Sequence, residues 1–305
     1  MKAVERHKSR WQLRTRTLAL GVQTRVMGVV NITPDSFSDG GQFLDPVAAV
    51  EHGLQLLDEG ADLLDLGAES TRPGSRVSSQ VGYADGAVTP DEEQARLLPV
   101  LEEILKARPD AIVSVDTYKA ATARAALQAG AEIVNDVSGL TWDAGLANVC
   151  AEFGAGVVLM HARGRPDEWL GQKQLEGDAL LAMVRGGLES SMEQAARASI
   201  SAEAIVVDPG YGFGKRFGEN YTLLERQAEL LALGRPLLAG LSRKSFLGHT
   251  LESAYKGDVP MEARDRASLV AMTAAILNGA SIVRVHRVRA AVEAARIADA
   301  ICGAA

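Results

Sequence analysis

Ala111-Ile-Val-Ser-Val115 is a short, largely apolar run that ends at Asp116, and the same design returns seven more times along the chain. The other runs cover residues 26–30, 62–66, 131–134, 156–160, 204–207, 236–240 and 281–285. Apolar runs of four or five residues suit parallel strands that are buried on both faces.

The segments between the runs carry helical signals. Asp45-Pro46 offers an N-cap followed by proline at the first helical position, and Val47, Val50, Leu54, Leu57 and Ala61 follow at spacings of three and four. Thr89-Pro90-Asp91-Glu92 is a capping box, with Leu97, Leu98, Leu101, Ile104 and Leu105 as the apolar stripe behind it. Residues 264–277 and 289–301 are two further amphipathic stretches. Strand and helix alternating eight times predict an α/β fold of the (β/α)8 TIM-barrel type, with an open doubly wound sheet as the competing arrangement. Near the N-terminus, Trp11-Gln12-Leu13-Arg14-Thr15-Arg16 alternates apolar and polar residues, which predicts a short β-hairpin. No linker divides the chain, so we expect a hairpin extension over residues 1–25 and a single barrel over residues 26–302.

Composition narrows the function. The 305 residues are 47% hydrophobic, 23% charged and 5% aromatic, which excludes disordered, collagen-like and disulfide-scaffold chains. A formal net charge of −7 argues against bulk attraction to nucleic acid or to an anionic membrane. No apolar run is long enough to span a bilayer, and the basic N-terminus lacks the apolar core of a signal peptide. Cys150 and Cys302 cannot cage a metal alone and read as reduced thiols of a cytoplasmic protein.

The residues that close the runs converge on one rim in a parallel barrel. They are Asn31, then Glu69, Thr71 and Arg72 after Gly67, then Asp116, Asn135 with Asp136, His161, Asp208, Ser242-Arg243-Lys244, and His286 with Arg284 just before it. Any one of these could be a plain helix cap; together they divide into two chemistries. Asp116, Asn135 and Asp208 are short side chains suited to the N–H donors of a flat heterocycle, and Lys244 would donate to its ring carbonyl or nitrogen. Arg72, Arg284, His286 and the hydroxyls of Ser70 and Thr71 suit a phosphate or pyrophosphate. Asn31 could ligate a hard cation such as Mg2+. His161 is as well read as structural as catalytic, and no His/Cys/carboxylate spacing predicts a zinc site. The loops at residues 31–41 and 70–89 have the character of lids. Gly210-Tyr-Gly-Phe-Gly-Lys215 matches neither a Walker loop nor a dinucleotide fingerprint, and we read it as a loop bringing Phe213 close to a ligand.

Met27-Gly-Val-Val-Asn31-Ile-Thr-Pro-Asp-Ser-Phe-Ser-Asp-Gly-Gly41 resembles the opening signature of the dihydropteroate synthase family. Asp65-Leu-Gly-Ala-Glu-Ser-Thr-Arg-Pro-Gly74, Ser114-Val-Asp-Thr117, Ile133-Val-Asn-Asp-Val137, Asp208-Pro-Gly-Tyr-Gly-Phe-Gly-Lys215, Ser242-Arg-Lys-Ser245 and Arg284-Val-His286 follow in family order. The resemblance implies condensation of 6-hydroxymethyl-7,8-dihydropterin pyrophosphate with p-aminobenzoate to 7,8-dihydropteroate in folate synthesis, by a dissociative, Mg2+-assisted substitution. It implies that Asp116, Asn135, Asp208 and Lys244 hold the pterin, with Met160 on its face. It places Asn31, Arg284 and His286 at the pyrophosphate, with Mg2+ at Asn31, and Thr71, Arg72, Phe213, Lys244 and Ser245 around p-aminobenzoate. Asp35, Thr71, Arg72, Lys244, Arg284 and His286 are the expected catalytic set. The resemblance also implies sulfonamide binding and a homodimer, and we expect a monofunctional enzyme.

Three features depart from the family pattern. Residues 76–88 lengthen the second loop, Arg287 replaces an acid after the Arg-Val-His element, and Met160-His-Ala-Arg-Gly-Arg-Pro166 varies the fifth-strand motif. Two other readings remain open. A methyltetrahydrofolate:corrinoid methyltransferase would share the Asp/Asn/Asp set but needs no anion site, and a non-catalytic pterin-binding paralogue would bind without turnover.

Overall fold

A computed structural model describes residues 3–33, 46–70 and 87–303. Two strands come first, β1 (Ser9–Gln12) and β2 (Thr17–Leu20), paired antiparallel with Ser9 opposite Leu20 and Gln12 opposite Thr17. The hairpin is where the alternation predicts it, but Leu13–Arg16 form its turn instead of continuing a strand. The cause is local. The Arg14 guanidinium and the Thr15 amide bond Ala131 O and the Glu132 carboxylate, each at 2.8 Å, and this anchors the turn to the barrel.

The barrel then runs β3 (Arg25–Asn31), α1 (Pro46–Asp58), β4 (Leu63–Gly67), α2 (Pro90–Ala107), β5 (Val113–Asp116) and α3 (Ala120–Gln128). It continues with β6 (Ile133–Asp136), α4 (Leu146–Phe153), β7 (Gly156–Met160), α5 (Gly177–Arg197), β8 (Ile205–Asp208) and α6 (Phe217–Glu225). The last part of the chain is β9 (Leu237–Ala239), α7 (Ser245–Tyr255), α8 (Met261–Leu277), β10 (Ala280–Val285) and α9 (Val288–Gly303). The eight barrel strands are parallel and close through a β10–β3 pairing. This is the predicted (β/α)8 barrel, with α7 as an extra helix between β9 and α8.

The main core lies between the strand ring and the helices, lined by residues such as Val26, Leu64, Leu101, Val115, Val157, Val207, Ile276 and Val283. A second core fills the lower end of the barrel. Met27, Leu63, Ile133, Val158, Val206, Leu238 and Ile282 point inward there, and Trp11, Leu13 and Leu20 of the hairpin close it from below. Trp11 is fully buried and its Nε1 donates to Ala204 O at 2.8 Å. The lower end is therefore packed shut, and the side chains two and four residues further along each strand face the open mouth.

At α2 the predicted capping box is present. Thr89 Oγ1 accepts from the Glu92 amide and the Glu92 carboxylate accepts from the Thr89 amide, with Pro90 at the first position. Asp45, the cap expected for α1, lies outside the described residues, as do most of both expected lid loops.

Candidate active site

Strand register sets the site. Asp116 of β5 pairs with Asn135 of β6, and Met160 of β7 pairs with Asp208 of β8. The polar residues expected just beyond the strands thus fall in the last two positions of the strands, because the backbone ladder continues to the mouth regardless of side-chain polarity. Together with Phe213, Lys244, Arg284 and His286 they line a cleft of about 450 Å3, its open mouth included. Val137, Tyr211, Gly240 and Ser242 complete the wall. The size and polar lining suit a small ligand.

The charged groups are interlocked. Arg284 lies across two carboxylates, with Nε at 2.6 Å from Asp65 Oδ2 and Nη2 at 2.7 Å from Asp116 Oδ2. Asn135 Nδ2 donates to the same Asp65 oxygen at 2.9 Å. The groups suited to a ring and those suited to an anion meet at this guanidinium.

Burial pushes Asp116 up to about 7, against the pull of Arg284. It pushes Asp208 up to about 6, against the hydrogen bond from the Gly210 amide at 2.7 Å and the nearby Lys244. It draws Lys244 down to about 7, against Asp208. Burial also works against the charge of Arg284, but Asp65 and Asp116 hold it more firmly protonated than usual. Buried carboxyls and amines near neutrality mark a place where protonation answers to a ligand.

His286, expected at the anion, carries no charge of its own here. Burial first, then Arg243 and Arg284, draw it down to about 3, so the ring is neutral, with Nδ1 2.9 Å from Ser242 Oγ. Arg287 is exposed in a groove between α1 and α9, beside His52, Glu59 and Glu293.

The glycine-rich loop after β8 is held from beneath. Lys215 Nζ donates to the carbonyls of His161 (2.9 Å), Gly210 (2.8 Å) and Phe213 (3.3 Å). Gly210 has φ +69°, and a Cβ there would lie 2.0 Å from His161 O, so only glycine fits. The loop carries Phe213 beneath Lys244, whose Nζ is 3.7 Å from the ring centroid. His161 itself is buried, its ring packed against Gly187 of α5 and held neutral chiefly by burial.

Of the other expected site residues, Asn31 is the half-buried last residue of β3 and is not part of the cleft wall. Ser245 is exposed at the first position of α7. Asp35, Thr71 and Arg72 lie outside the described residues. Glu69 turns away from the cleft to Lys119 Nζ (2.7 Å), which also meets Glu93 (3.1 Å). Among the described residues no group of three or more His, Cys, Asp or Glu side chains could hold a metal ion. Asn31 offers one amide oxygen, which fits a Mg2+ that keeps its waters and shares a substrate's phosphate oxygens, not an ion caged by protein.

Asp65 and Ser242 take part in the site without a role expected from the sequence. Asp65 carries a signal: it is a charged residue inside the apolar run Leu63-Leu-Asp-Leu66. Ser242 carries none beyond its place in a motif.

A closed parallel barrel whose mouth gathers carboxylates, an amide, a lysine and a guanidinium around one cleft has the layout of an enzyme for a small polar ligand. Comparisons with known proteins agree and are more specific. The family model for pterin binding enzymes matches residues 27–286. The dihydropteroate synthase of Mycobacterium leprae is 43% identical over 280 residues, covering 90% of this chain and 93% of that one. A Xanthomonas albilineans dihydropteroate synthase solved with 4-aminobenzoic acid superposes with a TM-score of 0.82 at 39% identity, covering 97% of this chain and 98% of that one. The Yersinia pestis dihydropteroate synthase in a sulfonamide drug complex gives a TM-score of 0.84 at 37% identity, covering 97% and 100%. The chain belongs to the pterin-binding enzyme family and, within it, to the dihydropteroate synthases.

Proposed function

We propose that this barrel joins 6-hydroxymethyl-7,8-dihydropterin pyrophosphate to p-aminobenzoate, giving 7,8-dihydropteroate and pyrophosphate. The observation that carries the reading is the set Asp116, Asn135, Asp208 and Lys244 facing one cleft, with Arg284 and His286 on the same rim. The carboxylates and amide accept and donate along the pterin edge, Lys244 donates to the ring, and Met160 covers a face. Arg284, His286 and Asn31 receive the pyrophosphate. Phe213 and Ser245 border p-aminobenzoate, together with Thr71 and Arg72, and Asp35 completes the catalytic set.

The C–O bond to pyrophosphate breaks first, and the electron-rich dihydropterin spreads the positive charge left on its methylene. Ionised Asp116 and Asp208 stabilise that charge, and Arg284 stabilises the departing anion. The aniline nitrogen then forms the C–N bond and releases its proton. A Mg2+ brought in with the pyrophosphate would neutralise leaving-group charge, with Asn31 as its protein ligand.

Sulfonamides, as mimics of p-aminobenzoate, would occupy the space beside Phe213 and Lys244. A second copy of the chain would pack on α8 and α9, whose Val270 and Ile297 are 73% and 66% exposed. Both cysteines are free thiols, which supports a cytoplasmic setting.

The test is direct coupling. Purified protein, Mg2+, p-aminobenzoate and the dihydropterin pyrophosphate should yield dihydropteroate by mass, and omission of either Mg2+ or p-aminobenzoate should abolish it. Tight binding of the pterin pyrophosphate without product would instead mark a non-catalytic binding protein.

A further inference from the structure

Asp65 stands in the middle of β4, opposite Ser114 in register, and is fully buried. Its Oδ2 accepts from Arg284 Nε at 2.6 Å and from Asn135 Nδ2 at 2.9 Å. Its Oδ1 has no hydrogen-bond partner among the described residues. A carboxylate with half its acceptor capacity unused is an expensive choice for a barrel interior, where an apolar side chain would pack at no electrostatic cost. Stability therefore does not account for it. Geometry does: one oxygen ties the guanidinium assigned to the anion to the amide assigned to the ring.

We propose that Asp65 is a positioning residue that makes ring recognition and anion recognition one event. The proposal rests on the pterin-coupling reading of the cleft. Arg284 spans Asp65 through Nε and Asp116 through Nη2, the second contact at 2.7 Å. Asp116 Oδ2 is taken by Arg284, so a ring N–H that reaches for this oxygen competes with the guanidinium. Binding of the heterocycle displaces Nη2 from Asp116, and the guanidinium, still hinged at Asp65, turns its freed N–H groups to the pyrophosphate. Asp65 keeps its partner in both states, and Asp116 exchanges its own. Without Asp65, ring binding would free Arg284 without aiming it.

A double-mutant cycle tests this. Dissociation constants for the dihydropterin pyrophosphate, and for 6-hydroxymethyl-7,8-dihydropterin without the pyrophosphate, would be measured by calorimetry in wild type, Asp65→Asn, Arg284→Gln and the double variant. Asp65→Asn should weaken the pyrophosphate-bearing ligand about tenfold or more and the pyrophosphate-free ligand several-fold less, with KM for p-aminobenzoate unchanged. In the Arg284→Gln background the extra loss on the pyrophosphate-bearing ligand should shrink to about twofold. If Asp65→Asn does not fold, Asp65→Ser, which can accept from only one partner well, takes its place in the cycle. Equal losses in both backgrounds, or equal losses on both ligands, would overturn the positioning role and leave the pterin reading intact. Wild-type protein that fails to bind the dihydropterin pyrophosphate would overturn the pterin reading itself.

Discussion

The Lys244 ammonium stands 3.7 Å from the ring centroid of Phe213, and both line the cleft. A cation this close to an aromatic face is attracted by about 1–2 kcal/mol where solvent is partly excluded. The pair ties the lysine proposed to face the pterin to the ring proposed to border p-aminobenzoate. Phe213→Leu should therefore raise KM for both substrates, and more for p-aminobenzoate, which loses the ring wall as well. Steady-state kinetics that show a change for neither substrate would separate Phe213 from the site.

Binding of the pterin should depend on pH with a maximum near neutrality. Asp208 and Asp116 sit at about 6 and about 7, raised chiefly by burial. They must be ionised to accept ring N–H groups, so affinity should fall as pH drops below those values, with proton release on binding. Lys244 sits at about 7 and must be protonated to donate, so affinity should fall again as pH rises above it. Calorimetry between about pH 5 and about pH 9 checks both limbs, and a flat profile would contradict the assignments.

Lys215 holds the loop after β8 through three carbonyls. Lys215→Met keeps the length and removes the donors, leaving buried carbonyls without a partner at about 1–3 kcal/mol each. The expected result is a lower melting temperature together with a higher KM for p-aminobenzoate, because Phe213 loses its support. A change in melting temperature alone would make Lys215 purely structural.

The hairpin is expected to matter for stability and not for chemistry. Trp11→Ala empties the plug of the lower barrel and should cost about 3–5 kcal/mol. Trp11→Phe keeps most of the apolar volume but orphans Ala204 O, which Nε1 now reaches at 2.8 Å, at about 1–2 kcal/mol. Denaturant titration would show both, and kcat of the folded variants should stay near wild type.

Much of this molecule is legible in its sequence because local and global demands coincide. Both ends of strand β7 are readable, since Gly156 and His161 bound a wholly apolar run, and the cap of α2 is readable because Thr89, Pro90 and Glu92 together fit a helix start and little else. The cleft residues from β5, β6 and β8 can be found because parallel strands carry the acid or amide that closes each apolar run to the mouth of the barrel. Three features are not readable. The hairpin turn is bent by contacts to Ala131 and Glu132, more than a hundred residues away, which no local pattern contains. The start of helix α7 coincides with the Ser-Arg-Lys-Ser motif, which masks it. The placement of Arg284 between Asp65 and Asp116 depends on closure of β10 onto β3, a relation between the two ends of the barrel.

The most direct measurement is a calorimetric titration of wild-type and Asp208→Asn protein with the dihydropterin pyrophosphate and Mg2+, paired with turnover of the same samples. Asp208 is a buried acceptor at the centre of the cleft, and the variant keeps its shape while removing its charge. Wild type should bind and turn over, and Asp208→Asn should lose about tenfold or more in both. Undiminished affinity and turnover in Asp208→Asn would contradict the placement of the pterin at this end of the barrel.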